Sequence, residues 1–170
     1  KIDLVIESGQ VHALMGENGA GKSTLMNILT GLFPATTGTI LIDNQEIAFS
    51  NPQIAEEAGL SFIHQEMNTW SEMTVLENLF LGRELKTPIG FLDQKAMKFK
   101  AQAVFNRLGI NIPLDTIISQ LSVGQQQMIE IAKSLLSEIS ILIMDEPTAA
   151  LTDRETETLF NIISSLKNEG

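Results

Sequence analysis

The chain has 170 residues, 44% apolar and 19% charged, which is enough for one domain with a real core and too few for two comfortable ones. Its 21 acidic against 11 basic side chains leave a formal charge of −10, which repels phosphate backbones and argues against a nucleic-acid partner. With no cysteine there is no disulfide or cysteine-built zinc site, which fits the cytoplasm, and no apolar run approaches the roughly 18 residues of a membrane span.

Ile2, Leu4 and Ile6 alternate as in a strand already under way, and the chain lacks an initiator Met, so it reads as part of a longer polypeptide. Residues 11–15 predict a buried strand that runs into Gly16-Glu17-Asn18-Gly19-Ala20-Gly21-Lys22-Ser23. Leu25, Ile28, Leu29 and Leu32 then fall at helical spacing until Pro34. Residues 39–43 predict a strand followed by a turn at Asn44-Gln45. Asn51-Pro52 opens a short helix that Gly59 closes, and residues 60–63 form a strand leading to His64-Gln65-Glu66.

A more helical stretch follows. Thr74 and Glu77 form a capping box. Asp93 caps a helix with Met97, Ala101, Val104, Phe105 and Leu108 on one face, and Gly109 ends it. Ser122 and Gln125 make a second capping box before the stripe Met128, Ile131, Ala132, Leu135, Leu136. Residues 141–144 are continuously apolar, as in a parallel strand covered on both faces, and run into Asp145-Glu146-Pro147. Thr152 and Glu155 cap a last helix whose buried face is Leu159, Ile162, Ile163 and Leu166. Strand–helix alternation thus brackets a helical insert at about 68–136, dividing the chain into 1–67, 68–136 and 137–170.

The 16–23 string fits G-x-x-x-x-G-K-[ST] at every fixed position, between the strand and helix that this motif requires. Its glycines let backbone N–H groups wrap phosphates, and the helix N-terminus adds positive potential. Lys22 would reach the β- and γ-phosphates of a nucleoside triphosphate, and the Ser23 hydroxyl would ligate Mg²⁺. Asp145, ending a strand, can hold Mg²⁺. Glu146 is the candidate general base for an attacking water, brought round by the turn at Pro147. Gln65, just past a strand end, can touch the metal or its water. At Ser122-Val123-Gly124-Gln125 a helix begins with a small residue where backbone can approach an anion. His12 reads as a core histidine and His64 as a neighbour of Gln65, whereas Trp70 and the seven methionines suggest only packing or a docking groove.

Leu121-Ser122-Val123-Gly124-Gln125, shortly before a strand ending in Asp145-Glu146, resembles the signature of the ATP-binding-cassette ATPases. The strings Phe62-Ile63-His64-Gln65-Glu66, residues 77–84 (ENLFLGRE) and residues 125–133 (QQQMIEIAK) look like those of bacterial monosaccharide importers, closest to the ribose type. The resemblance implies an α/β P-loop NTPase core with a mostly parallel sheet, a small antiparallel β subdomain and a helical insert. It implies ATP and Mg²⁺ as ligands. Gly16, Glu17, Asn18, Gly19, Ala20, Gly21, Lys22, Ser23 and Thr24 would bind nucleotide, with Ser122, Val123, Gly124 and Gln125 covering ATP on a second cassette. Ser23, Gln65 and Asp145 would hold the metal, and Glu146, Gln65 and Lys22 would be catalytic.

By the same resemblance, Lys22 and Glu146 mark the first of two cassettes. Membrane-spanning permease subunits are the partners at the cytoplasmic face of the membrane, and a sugar-binding protein acts indirectly. The Asp usual in the segment Ala149-Ala150-Leu151-Thr152 is missing, as in similar sugar importers. The switch histidine is expected after Gly170 and the adenine-stacking aromatic before Lys1. A soluble cassette ATPase of the ribosome or chromosome is the alternative, disfavoured by the −10 charge. A nucleotide kinase has no use for the 121–125 motif.

Overall fold

The computed structural model describes residues 2–17, 19–64, 69–149 and 151–169. Helix α1 spans Lys22–Leu29, strands β1 and β2 are Leu41–Ile42 and Gln45–Glu46, α2 is Pro52–Glu57 and β3 is Leu60–Ile63. Then come α3 (Val75–Phe80), α4 (Gln94–Leu108), a single 3-10 turn at Ile118–Gln120, α5 (Val123–Ser134), β4 (Ile141–Met144) and α6 (Asp153–Glu169).

The chain divides into two compact units. The first comprises Lys1–Phe62, Ile139–Ile143 and Ile163–Gly170. Within it β1 and β2 form an antiparallel hairpin, with Leu41 opposite Glu46. Its turn residues, Asp43 and Asn44, both take positive φ (49° and 63°), the twist that a two-residue hairpin needs and that short polar side chains tolerate. Asn51 caps α2 by accepting from the Ile54 N–H at 3.0 Å, with Pro52 in the first turn. Phe49, Ala55 and Leu60 are buried together, and Leu29, Ile42, Ile54, Ile141 and Ile143 pack on them.

β3 and β4 are neighbours in a second two-stranded sheet. Ile141 N–H donates to Gly59 O at 3.1 Å and Asp145 N–H to Ile63 O at 3.1 Å. Both strands advance four residues together, so they run parallel. β4 is half-buried throughout rather than covered on both faces. Among the described residues its only ladder neighbour is β3.

The expected strand at 11–15 does not form. Val11, Leu14 and Met15 are exposed, and the segment joins no sheet among the described residues. An apolar run becomes a strand only where a neighbour pairs its backbone groups, and no described strand does so here. The alternation at 2–6 is likewise outside any strand.

The second unit comprises Ile63–Glu138 and Met144–Ile162. Helices α3, α4 and α5 pack on one another around Val75, Leu79, Phe105, Ile118, Ile129 and Ile131, each at most 1% exposed. Truncating such a side chain costs about 2–5 kcal/mol. Thr74 and Glu77 complete their capping box on α3, Asp93 caps α4 through the Ala96 N–H, and Gly109 closes α4 in the left-handed region. Asn78 is buried, and its amide accepts from Trp70 N–H at 2.7 Å and donates to Trp70 O and Thr74 O, both at 3.0 Å. The Trp70 ring itself is 62% exposed and takes no part in this core.

Candidate functional site

In the first unit the glycine-rich loop turns into α1 at Gly21, which occupies the N-cap position at φ 93° and offers no side-chain cap. A Cβ at Gly19 or Gly21 would meet no described atom within 4 Å. Their positive φ values, 86° and 93°, are therefore what call for glycine, rather than crowding. The first turn of α1 has no acidic residue, and its N-cap makes no side-chain hydrogen bond to the leading N–H groups. Lys22 folds back, donating from Nζ to Gly16 O at 2.6 Å and Glu17 O at 3.2 Å, while Ala20 N–H closes a turn on Glu17 O. Ser23 and Thr24 are exposed in the same turn. Asn18 lies outside the described residues.

In the second unit the backbone leaves strand geometry right after β4. Asp145 is half-buried and still bonded to Ile63 O, whereas Glu146 is exposed with φ 43°. A non-glycine residue in the left-handed region costs of order 1 kcal/mol or more and turns its side chain away from strand alternation. The next turn is closed by Ala149 N–H on Glu146 O at 3.1 Å. Gln65 lies outside the described residues. His64 is exposed, and so is His12, which was expected in the core. The His12 ring sits 3.0 Å from Gln10 Oε1, in a segment not laddered into a sheet among the described residues.

The 121–125 turn is built from several directions. Val75 N–H and Leu76 N–H donate to Thr116 O and Leu114 O, and Ile118 N–H donates to Met73 O, tying the approach segment to the start of α3. Gln126 Nε2 donates to Leu121 O at 3.0 Å. Ser122 Oγ accepts from Gln125 N–H at 3.2 Å, and Gln125 Oε1 accepts from Ser122 N–H at 3.0 Å, completing the predicted capping box of α5.

The next contact leaves no trace in the local residue pattern. Ser122 Oγ donates to Glu155 Oε1 at 2.7 Å, 33 residues away. Glu155 Oε2 accepts from Thr152 N–H at 3.0 Å and Thr152 Oγ1 at 2.8 Å, capping α6. Gly124 is buried beneath this side chain, and a Cβ there would stand 2.6 Å from Glu155 Cγ. The Thr152 N–H, followed by the Ser122 and Thr152 hydroxyls, holds the Glu155 carboxyl below its ordinary pKa.

Among the described residues no group of three or more His, Cys, Asp or Glu side chains converges on a metal position, and no helix is long and apolar enough to cross a membrane. Ser23 and Asp145 are nonetheless hard oxygen donors, the chemistry that suits Mg²⁺.

A parallel strand pair, an antiparallel hairpin, a glycine loop opening a helix and a three-helix unit define an α/β protein of the P-loop class. The family model described as ABC transporter matches residues 1–149, and the chain belongs to that family. It is 76% identical over 170 residues to the ribose import ATP-binding protein RbsA of Streptococcus agalactiae serotype Ia, covering 100% of this chain and 35% of that protein. The chain therefore spans about a third of the length of the curated relatives it matches. The fold is similar to the ADP conformation of MJ1267, an ATP-binding cassette of an ABC transporter, with TM-score 0.82, 29% identity and coverage of 96% of this chain and 68% of that one. It is also similar to the dimeric post-hydrolysis state of the cassette MJ0796 bound to ADP and Pi, with TM-score 0.78, 27% identity and coverage of 98% and 73%.

Proposed function

We propose that this chain is an ATP-binding and ATP-hydrolysing cassette that powers import of a monosaccharide, ribose, through a membrane permease. The observation that carries the ATP reading is the 16–23 loop, whose two left-handed glycines lead into a helix start with no side-chain cap and no acid. Such a turn presents N–H groups to phosphate. Lys22, now on the loop's own carbonyls, exchanges them for β- and γ-phosphate oxygens, as residues 16–24 including Asn18 wrap the nucleotide. Ser23 and Asp145, with Gln65, would hold Mg²⁺, which supplies charge neutralisation on the phosphates. Glu146 takes the proton of the attacking water.

Ser122, Val123, Gly124 and Gln125 cover the γ-phosphate of a second cassette, a reading supported by the dimeric state of the MJ0796 cassette. The 68–136 segment is the helical insert through which closure reaches the permease, and the protein works at the cytoplasmic face of the membrane. The sugar assignment rests on the name carried by the Streptococcus and Lactococcus relatives. Uptake of labelled ribose by cells expressing the full-length protein tests it. Loss of uptake in Glu146→Gln, together with co-purification of a permease, is the expected result. Ribose uptake unchanged by that substitution would overturn the transport role.

A further inference from the structure

Ser122 has one proton to give, and Glu155 has it. Its oxygen also accepts from Gln125 N–H, so its one proton and one of its two acceptor positions are engaged within the chain. The two oxygens of Glu155 are divided between two helix starts: Oε1 serves Ser122 ahead of α5, and Oε2 serves Thr152 ahead of α6. The carboxylate lies over Gly124, where any larger residue would collide with it. A negative group at the N-terminus of α5 is favoured by the helix dipole, as a phosphoryl group would be.

We infer that Glu155 is a positioning residue of the 121–125 turn, an internal carboxylate that holds Ser122 and Gly124 in the place of a phosphoryl group and must let go before the turn can cover ATP on a second cassette. The inference rests on the nucleotide reading above, in which that turn meets a γ-phosphate. Phosphate oxygens need the same Ser122 proton and the same space over Gly124, and two anions there repel. Closure is thus an exchange: Ser122 passes from Glu155 Oε1 to phosphate, while Oε2 stays on Thr152 and keeps α6 capped. Glu155 sets the threshold for closing and ties the start of α6 to the signature turn.

Glu155→Gln isolates this role. An amide has a single acceptor oxygen and still completes a capping box, so it can keep Thr152, while its uncharged NH2 cannot accept the Ser122 proton and frees it for phosphate. ATP-driven closure is read in the full-length protein, in a Glu146→Gln background that blocks turnover, by light scattering or cross-linking against ATP–Mg²⁺ concentration. The ATP needed for half-maximal closure should fall about fivefold or more on adding Glu155→Gln, with ADP affinity unchanged. In nucleotide-free protein, Ser122→Ala and Glu155→Gln should be non-additive in melting temperature, because each removes the same bond. An unchanged or raised ATP requirement, or additive melting effects, would overturn the inference and leave Glu155 as a helix cap. If closure fails even with Glu155 intact, the nucleotide reading falls and the exchange with it. The melting cycle tells that failure from a missing Ser122–Glu155 bond.

Discussion

Two helices in this chain begin on glycine-bearing motifs, and their starts are opposites. At α1 the N-cap is Gly21, there is no capping side chain and no first-turn acid, and Lys22 is bent onto loop carbonyls. At α5 the Ser122–Gln125 box is complete, and the Glu155 carboxylate sits against it from another helix. Both starts carry the same positive end of a helix dipole. One carries no capping side chain and no acid, and the other has supplied an anion from within. A glycine in such a motif thus has two distinct causes, backbone φ at Gly19 and Gly21 and close approach of a side chain at Gly124.

The comparison breaks hardest at Glu146. Glu146→Gln in the full-length protein should cut ATP turnover by roughly 10²–10⁴-fold while nucleotide still binds, because an amide cannot take the water's proton. Steady-state ATPase assays with a parallel binding measurement check this. Near-normal turnover would remove Glu146 from the role of base.

Ser122→Arg sharpens the contrast between the two helix starts. It should stop closure and turnover and leave ATP affinity at the α1 loop nearly intact. If Ser122 were only a cap, the cost would be ~1 kcal/mol of stability with activity retained.

Asn78→Ala probes the framework beneath the second start. It strands the Trp70 N–H and carbonyl that the buried amide now satisfies, so it should destabilise by about 1–3 kcal/mol in a denaturant melt, with no direct effect on nucleotide affinity.

The smallest effect is on pH. A carboxylate held below its ordinary pKa adds stability that is complete above the usual carboxylate range and is lost as pH falls through its folded value. Glu155 should therefore steepen the acid decline in melting temperature below about pH 4.5. Glu155→Gln should flatten that decline, by less than ~1 kcal/mol because the group is only half-buried. An identical acid profile in the two proteins would mean that the Ser122 and Thr152 bonds do not hold the ionised form.

What the sequence made legible follows range of interaction. The caps Asn51, Thr74, Asp93, Ser122 and Thr152 and the stop at Gly109 are set by residues within four positions, and β3 and β4 also stand where the pattern puts them, paired with each other. The 11–15 run failed because apolarity alone does not supply a ladder partner. Each of the two capping boxes, Ser122–Gln125 and Thr152–Glu155, is readable by itself. Their joining through one carboxylate spans 33 residues and has no periodic trace. The small residue at 124 suits close approach of a phosphate, and the side chain that lies there is Glu155. Asn78 sits inside a recognisable string, but nothing local marks it as the buried amide that pins Trp70.

The central claim is that the α1 start binds ATP through the 16–23 loop and Lys22. Thermal melting of the full-length protein with and without ATP–Mg²⁺, alongside Lys22→Ala, tests it most directly. At a hundred times the dissociation constant the wild type should gain about 2.7 kcal/mol and the variant almost none. No gain in the wild type, or an equal gain in Lys22→Ala, would contradict it.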